Sequence, residues 1–393
     1  MAGFASQAEV RVTDSLLPQI AADFHTTVGA AAIVVTAYAL THGIIQFVAG
    51  PAADRFGKFR TVAIASLLAT LLVAACGTVS SIPQLAIARL MTGAVAGWVI
   101  PISMAYIGDV TPHERTQPIL ARYASGYILG QLFGQAAGGV LGDLIGWRYV
   151  FFVLAGLFGI AAVGLMMELV IDPRTRASGS SAQASRGVIA DYVIVLSNPF
   201  ARLILIIGVI EAALAWGAFA YIGADLHARF ALSFTLIGLT VAFFGVGGLI
   251  YAALVKHFVY RLGQTGLTLG GGLVIAAAFL ALAVEPAWWL AFLALAVEPA
   301  WWLAPVATTA IGLGFYMFHN TLQTKATQMT PEARGTAVSF FTSALYLGQT
   351  IGVAAGALVI DRLGAVPLYI GTAIAFPLLA QWFASLLRRR SIE

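Results

Sequence analysis

The sequence predicts an all-α integral membrane protein with twelve transmembrane helices arranged as two pseudo-symmetric six-helix bundles. Three observations predict it. Of 393 residues, 60% are hydrophobic and only 10% charged, against about 25% charged in ordinary soluble domains. Apolar stretches close to the ~20 residues needed to cross a ~30 Å hydrocarbon core occur twelve times along the chain. Finally, residues 129–146 (LGQLFGQAAGGVLGDLIG) and 347–364 (LGQTIGVAAGALVIDRLG) share nine identities in eighteen positions at an offset of 218.

The expected spans, bounded by Pro, Gly and charge clusters, have cores at 3–23, 28–49, 61–79, 84–107, 119–141, 148–170, 200–222, 233–254, 265–284, 303–324, 337–360 and 367–386. One polar stretch is long enough to join two halves, residues 172–199, with Asp172, Arg174, Arg176 and a Ser/Ala/Gly run at 177–187. The expected organisation is a first bundle at 1–171, a linker at 172–199 and a second bundle at 200–393.

Charge placement predicts the orientation. Sixteen of the 21 basic residues fall in loops on the side of the termini, three (Arg148, Arg229, Arg362) on the other side, and Arg11 and Arg89 inside spans. Positive loops stay inside, so both termini are expected in the cytoplasm. The expected location is a plasma membrane, namely a bacterial inner membrane. The net charge of +4 forms no basic stripe of the kind that binds nucleic acid. A single cysteine, Cys76, excludes an internal disulfide, and no Cys/His cluster has zinc-site spacing. The first residues lack a basic segment followed by an unbroken apolar run, so no cleavable signal peptide is expected.

The repeat extends beyond the aligned segment. Thr111-Pro112 and Arg115 match Thr330-Pro331 and Arg334 at an offset of 219, whereas Arg55 and Gly57 match Arg261 and Gly263 at 206. Thirteen residues are gained between them, and FLALAVEPAWWLA at 279–291 indeed recurs unchanged at 292–304. An identical tandem copy reads as a recent duplication, not a solenoid unit. The alternative is an external site built from Glu285, Glu298 and Trp288, Trp289, Trp301 and Trp302. Trp pairs at a span end ordinarily mark the membrane interface. Parallel six-span halves related by an axis along the membrane normal place a substrate site between them near the midplane.

Between spans 2 and 3 stands Gly50-Pro51-Ala52-Ala53-Asp54-Arg55-Phe56-Gly57-Lys58-Phe59-Arg60. Gly57 permits a tight turn, Arg55, Lys58 and Arg60 hold the loop at an anionic surface, and Asp54 can meet the positive end of span 11's dipole. The segment resembles the signature loop of the major facilitator superfamily, and the resemblance covers the whole chain. It implies that fold, and for Gly50, Asp54, Arg55, Gly57, Lys58 and Arg60 it implies a latch for the outward-facing state. Arg89 and Gly93 resemble the arginine-glycine motif of proton-coupled efflux members. Gly130, Gly134, Gly138 and Gly139 resemble the glycine-rich antiporter motif, with Gln135 in place of its proline and Ala121 in place of an upstream glycine. Close helix packing also explains those glycines.

Charged residues inside spans are the functional candidates. Gln7, Arg11 and Asp14 share one face of span 1, while Glu9 points nearly opposite and is expected near the headgroups. Asp14 to Phe24 (DSLLPQIAADF) resembles the end of span 1 in drug-efflux members; a misassigned N-terminus with a partly interfacial span is the alternative. Glu211 stands alone in span 7, roughly 16 Å in from the nearer edge at 1.5 Å per residue, where a carboxylate costs about 3 kcal/mol. Proton coupling is therefore assigned to Asp14 and Glu211 with Arg11 and Arg89. Arg11, one turn before Asp14, keeps it charged, which leaves Glu211 as the proton carrier. His42 and His319 rank second as relays. Cavity candidates are Tyr38, Gln46, Trp98, Tyr127, Gln131, Trp216, Tyr316, Asn320, Gln323, Tyr346 and Gln349; Gln131 and Gln349 occupy equivalent repeat positions.

No GxSxG, P-loop lysine motif or HExxH is present, so neither an enzyme nor an ATP-driven pump is expected, and no cofactor. The expected activity is secondary transport, as proton-coupled efflux of a small organic compound by a functional monomer in the lipid bilayer. Proton-coupled uptake of a possibly anionic metabolite, with Arg11 or Arg89 as its partner, is the alternative. A non-transporting membrane sensor or scaffold is the reading from another class.

Overall fold

The computed structural model describes residues 1–172, 175, 187–284 and 301–390, and every regular element among them is a helix. Nine helical stretches among the described residues have the length and hydropathy to cross a membrane. One of them, Phe234–Ala283, is broken at Gly263 (φ 61°) and supplies spans 8 and 9. Two further helical stretches, Ala2–Arg11 with Thr13–Asp23 and Leu303–Gln328, stand where spans 1 and 10 are expected. Glu285, Glu298, Trp288 and Trp289 of the tandem copy, and Arg174 and Arg176 of the linker, lie outside the described residues.

The backbone repeats as the sequence does. Gly57 and Gly263 turn the chain after spans 2 and 8, and Gly146 and Gly364 after spans 5 and 11. All four have φ between 61° and 87°, a region that glycine enters without a Cβ penalty. His25 and Ala231, both at φ 50°, reverse the chain after spans 1 and 7. The first and third of these pairs are 206 residues apart and the second 218.

Packing shows the same symmetry. A Cβ at Gly130, Gly134 or Gly138 of span 5 would run into Phe4, Ala8 and Val12 of span 1. At Gly348, Gly352 and Gly356 of span 11 it would meet Val209, Ala213 and Gly217 of span 7. Small residues every four positions let two helix backbones touch, which is what the span 5 glycines do here. The span 1 and span 7 partners are 205 apart and the span 5 and span 11 glycines 218 apart. The difference equals the 13 residues of the tandem copy. Gly247 and Gly271 likewise seat against Gly312 and Gly314 of span 10.

Two large apolar cores result. One is made of residues from Val195 to Phe383; the other draws on the first six spans and takes in Ala220, Tyr221 and Val353 from the last six. Outward-facing side chains are apolar too, among them Leu71, Leu144, Ile160, Leu273 and Leu378. A continuous exposed apolar surface of this kind is made for lipid.

The first six spans meet the last six along spans 2 and 11 and spans 5 and 8. Midway along one seam, Ser343 Oγ donates to the Gly43 carbonyl (2.7 Å). At the end opposite the termini, Asp361 accepts from Thr27 Oγ1 (2.6 Å) and Gly29 N (2.8 Å), and Asp143 from Thr235 Oγ1 (2.7 Å) and N (3.2 Å). Toward the termini, the short helix Val188–Ser197 places Tyr192 between the halves. Its hydroxyl donates to the Phe47 carbonyl and its ring packs on Phe340.

Candidate functional site

No residue of span 1 from Gly3 to Ala21 is exposed, because spans 4, 5, 6 and 7 pack against it. Its charged residues therefore all meet protein. Glu9 forms an ion pair with Arg89 of span 4, and both side chains are fully buried. Arg89 also donates to the Val34 carbonyl (3.4 Å) and lies 4.2 Å over the Tyr38 ring. This corrects the expectation for Glu9. The wheel position of Glu9 relative to Arg11 is as expected, but that direction leads to span 4 and not to headgroups. A charge so completely desolvated persists only with a partner, and each of the two supplies the other's.

Arg11 takes the opposite side. Its guanidinium approaches Asp14 (3.7 Å), and its central carbon lies 3.4 Å from the centre of the Trp216 ring of span 7. Both Arg11 and Asp14 are buried. Ser15 Oγ donates to the Gln135 carbonyl (3.0 Å). The Gln135 amide lies beside Asp14; both amide atoms and Asp14 Oδ2, the oxygen that Arg11 approaches, are buried without a hydrogen bond at normal distance. Such atoms are expensive in a dry interior and suit a place where a ligand or proton comes and goes.

The second half holds its own ionisable pair. Glu211, fully buried, meets His319 of span 10, whose Nδ1 stands 3.1 and 3.2 Å from the two carboxylate oxygens. Phe315 (4.9 Å between centres) and Phe341 (5.8 Å) both stack with the imidazole. Glu211 is alone in its span, but not in the fold. Asp14 and Glu211 thus belong to two separate clusters, one in each half.

Between the clusters runs an aromatic seam. His42 lies 4.1 Å from Tyr346 across the halves and 5.4 Å from Tyr38, ring centre to ring centre. Trp216 packs with Phe244 and Phe315, each at 5.2 Å. Gln131 and Gln349 are buried at their equivalent positions, Tyr127 meets Tyr123, and Asn320 lies beside Tyr251.

The signature loop stands at the end of the bundle that holds the termini. Asp54, half-exposed, pairs with Lys58 one turn on (3.1 Å), and Lys58 also meets Asp109 at the end of span 4 (2.5 Å). In this conformation Asp54 is held by its own half, not by span 11. Lys58, expected both to hold the loop at the membrane surface and to belong to the latch, here clamps two carboxylates of its own half. Gly50 has open space around it, and Arg55 and Arg60 are exposed. Asp109 escaped sequence reading because nothing near it in the chain marks it as the partner of a lysine 51 residues away.

Among the described residues, apolar helices in two alike halves enclose buried ionisable side chains, the arrangement of a membrane transporter. The Major Facilitator Superfamily model matches residues 1–352, and the chain belongs to that family. It is 26% identical over 338 residues to the uncharacterized MFS-type transporter YceJ of Bacillus subtilis (strain 168), covering 86% of this chain and 82% of that protein. It is 29% identical over 153 residues to the multidrug export protein EmrB of Haemophilus influenzae, a match over 39% of this chain and 30% of that one. In fold it resembles a D-xylose-proton symporter, with a TM-score of 0.73 and 15% identity, covering 96% of this chain and 94% of that chain.

Proposed function

We propose that the protein exports a small organic compound in exchange for protons, working as a monomer in a bacterial inner membrane. Residues 1–171 and 200–393 act as two bodies that rock about the central site, joined by 172–199. The excess of basic residues on the side of the termini supports a cytoplasmic location for both. The captured state is then closed at the outer end, where hydrogen bonds join the halves, while the signature loop is engaged within its own half.

One observation carries the reading. Arg11, which serves the Asp14 carboxylate, lies on Trp216 of the other half, so any change of charge or occupancy at span 1 acts directly on a contact between the moving bodies. Proton exchange is assigned to Glu211 with His319, a buried carboxyl in direct contact with an imidazole of the neighbouring span. Uptake of an anion would need an uncommitted cation. Arg89 is committed to Glu9, and Arg11 to Asp14 and Trp216, which favours export. The kinship with EmrB, a multidrug export protein, supports the same direction.

The test is uptake and efflux in sealed vesicles, with and without an imposed proton gradient, against a mixed panel of drugs and metabolites. Gradient-dependent export of at least one lipophilic compound is expected. Accumulation driven by inward proton flow would instead establish symport.

A further inference from the structure

Two acidic residues outside the central site share a relationship that the repeat alone does not explain. Asp143 and Asp361 are 218 residues apart and begin the same motif, Asp-x-x-Gly, at the ends of spans 5 and 11. Each accepts the backbone N–H of an equivalent residue in the other half, Thr235 for Asp143 and Gly29 for Asp361, 206 residues apart. Each also accepts a hydroxyl there, from Thr235 and Thr27 respectively.

The geometry points to Asp143 and Asp361 as a matched pair of gate latches: each carboxylate closes the end opposite the termini by capping a span of the other half, and both let go when that end opens. This rests on the alternating-access reading above.

The chemistry fits a contact made to be broken. The helices Val28–Phe56 and Phe234–Ala283 begin with N–H groups that have no intrahelical partner, and the dipole favours a negative charge beside them. Bonds of this type are charge-assisted. Both aspartates are exposed at the mouth, so water takes over donors and carboxylates alike when the seam parts. The buried Glu9–Arg89 pair has no such exit. Other ion pairs at this end stay within one half: Arg148 with Asp23 (2.5 Å) and Arg229 with Asp225.

Backbone approach is arranged for it. Gly139 of span 5 touches Gly238 of span 8 next to Asp143, and a Cβ on Gly29 would collide with Asp361 itself. Two seams with the same device also give a cooperative switch. Loss of either carboxylate leaves the other latch in place, and loss of both frees the whole end.

The test uses the full chain in lipid nanodiscs, with Cys76→Ser and a reporter cysteine at Ala220. That residue is buried where the second half enters the first core. Maleimide labelling of Ala220→Cys is timed in the parent, in Asp143→Asn, in Asp361→Asn and in the double variant. Thr78→Cys, exposed at the same end, serves as the constant control. We expect labelling to rise roughly threefold in each single variant and at least tenfold in the double. If a carboxylate variant does not fold, Thr27→Ala, which removes one donor, should still raise labelling about twofold. Unchanged Ala220→Cys labelling in a folded double variant overturns the latch. The readout needs no substrate or proton gradient, so its failure is distinct from failure of proton-coupled export.

Discussion

The guanidinium of Arg11 lies 3.4 Å from the centre of the Trp216 ring, and the two residues hold the same place in the two halves. Phe4 and Val209, and Ala8 and Ala213, take equivalent glycine contacts at the same separation of 205, so span 1 and span 7 meet on the pseudo-symmetry axis. A desolvated cation–π contact is worth about 2 kcal/mol or more.

Replacing Trp216 with Leu, or Arg11 with Lys, should each cut transport roughly tenfold with expression unchanged, since a two-kcal/mol contact corresponds to more than a tenfold population change and Lys cannot stack as a plane. The double variant should be no worse than the more damaging single one, because both remove the same contact. Rates in vesicles check this, and multiplied losses would show that the residues act independently.

Glu9→Gln and Arg89→Met should each destabilise the fold, by about 3–5 kcal/mol where a buried partner is left uncompensated. Glu9→Leu combined with Arg89→Leu should recover most of the lost thermal stability. Melting followed by intrinsic fluorescence in detergent measures both, and a double variant as unstable as the singles would contradict the pairing.

Asp54 and Lys58 should act in opposite directions. Lys58→Ala releases Asp54 from its own half and makes it available to span 11, which favours the outward-facing state; Asp54→Asn removes the latch and favours the inward-facing one. Cysteine accessibility at the outer end should therefore rise with the first substitution and fall with the second. A shift in the same direction for both would remove the signature loop from the switching mechanism.

The architecture was legible in the sequence because lipid imposes it. Each span must be apolar along its length, and duplicated halves leave aligned glycines such as Gly134 and Gly352 that no drift of surface residues hides. Gly57 and Gly263 were readable as turns for the same reason. Pairings between distant residues were not readable. Glu211 and His319 are 108 positions apart, and each looks like an isolated intramembrane polar residue until spans 7 and 10 are placed side by side. Glu9 was misplaced because a helical wheel gives a direction without saying what stands there, and span 1 is enclosed by protein on every side. Asp143 and Asp361 stood in plain view as an identity of the repeat, but their partners lie in the other half.

Deleting residues 292–304 should leave insertion and transport close to the parent level. It removes one of two identical copies and brings the separation of spans 5 and 11 back to that of spans 1 and 7. Transport in cells expressing equal amounts of each chain is the measurement, and loss of activity at normal expression would give the second Glu-Pro-Ala-Trp-Trp segment a role of its own.

We propose a carboxyl in span 7, Glu211, as the group that couples proton movement to export. Glu211→Gln in proteoliposomes tests it most directly, with substrate flux measured under an imposed proton gradient and, separately, as exchange at equal pH. Gradient-driven flux is expected to disappear while exchange continues, because the glutamine still packs against His319 but can no longer exchange a proton. Gradient-driven flux at the parent rate would contradict it.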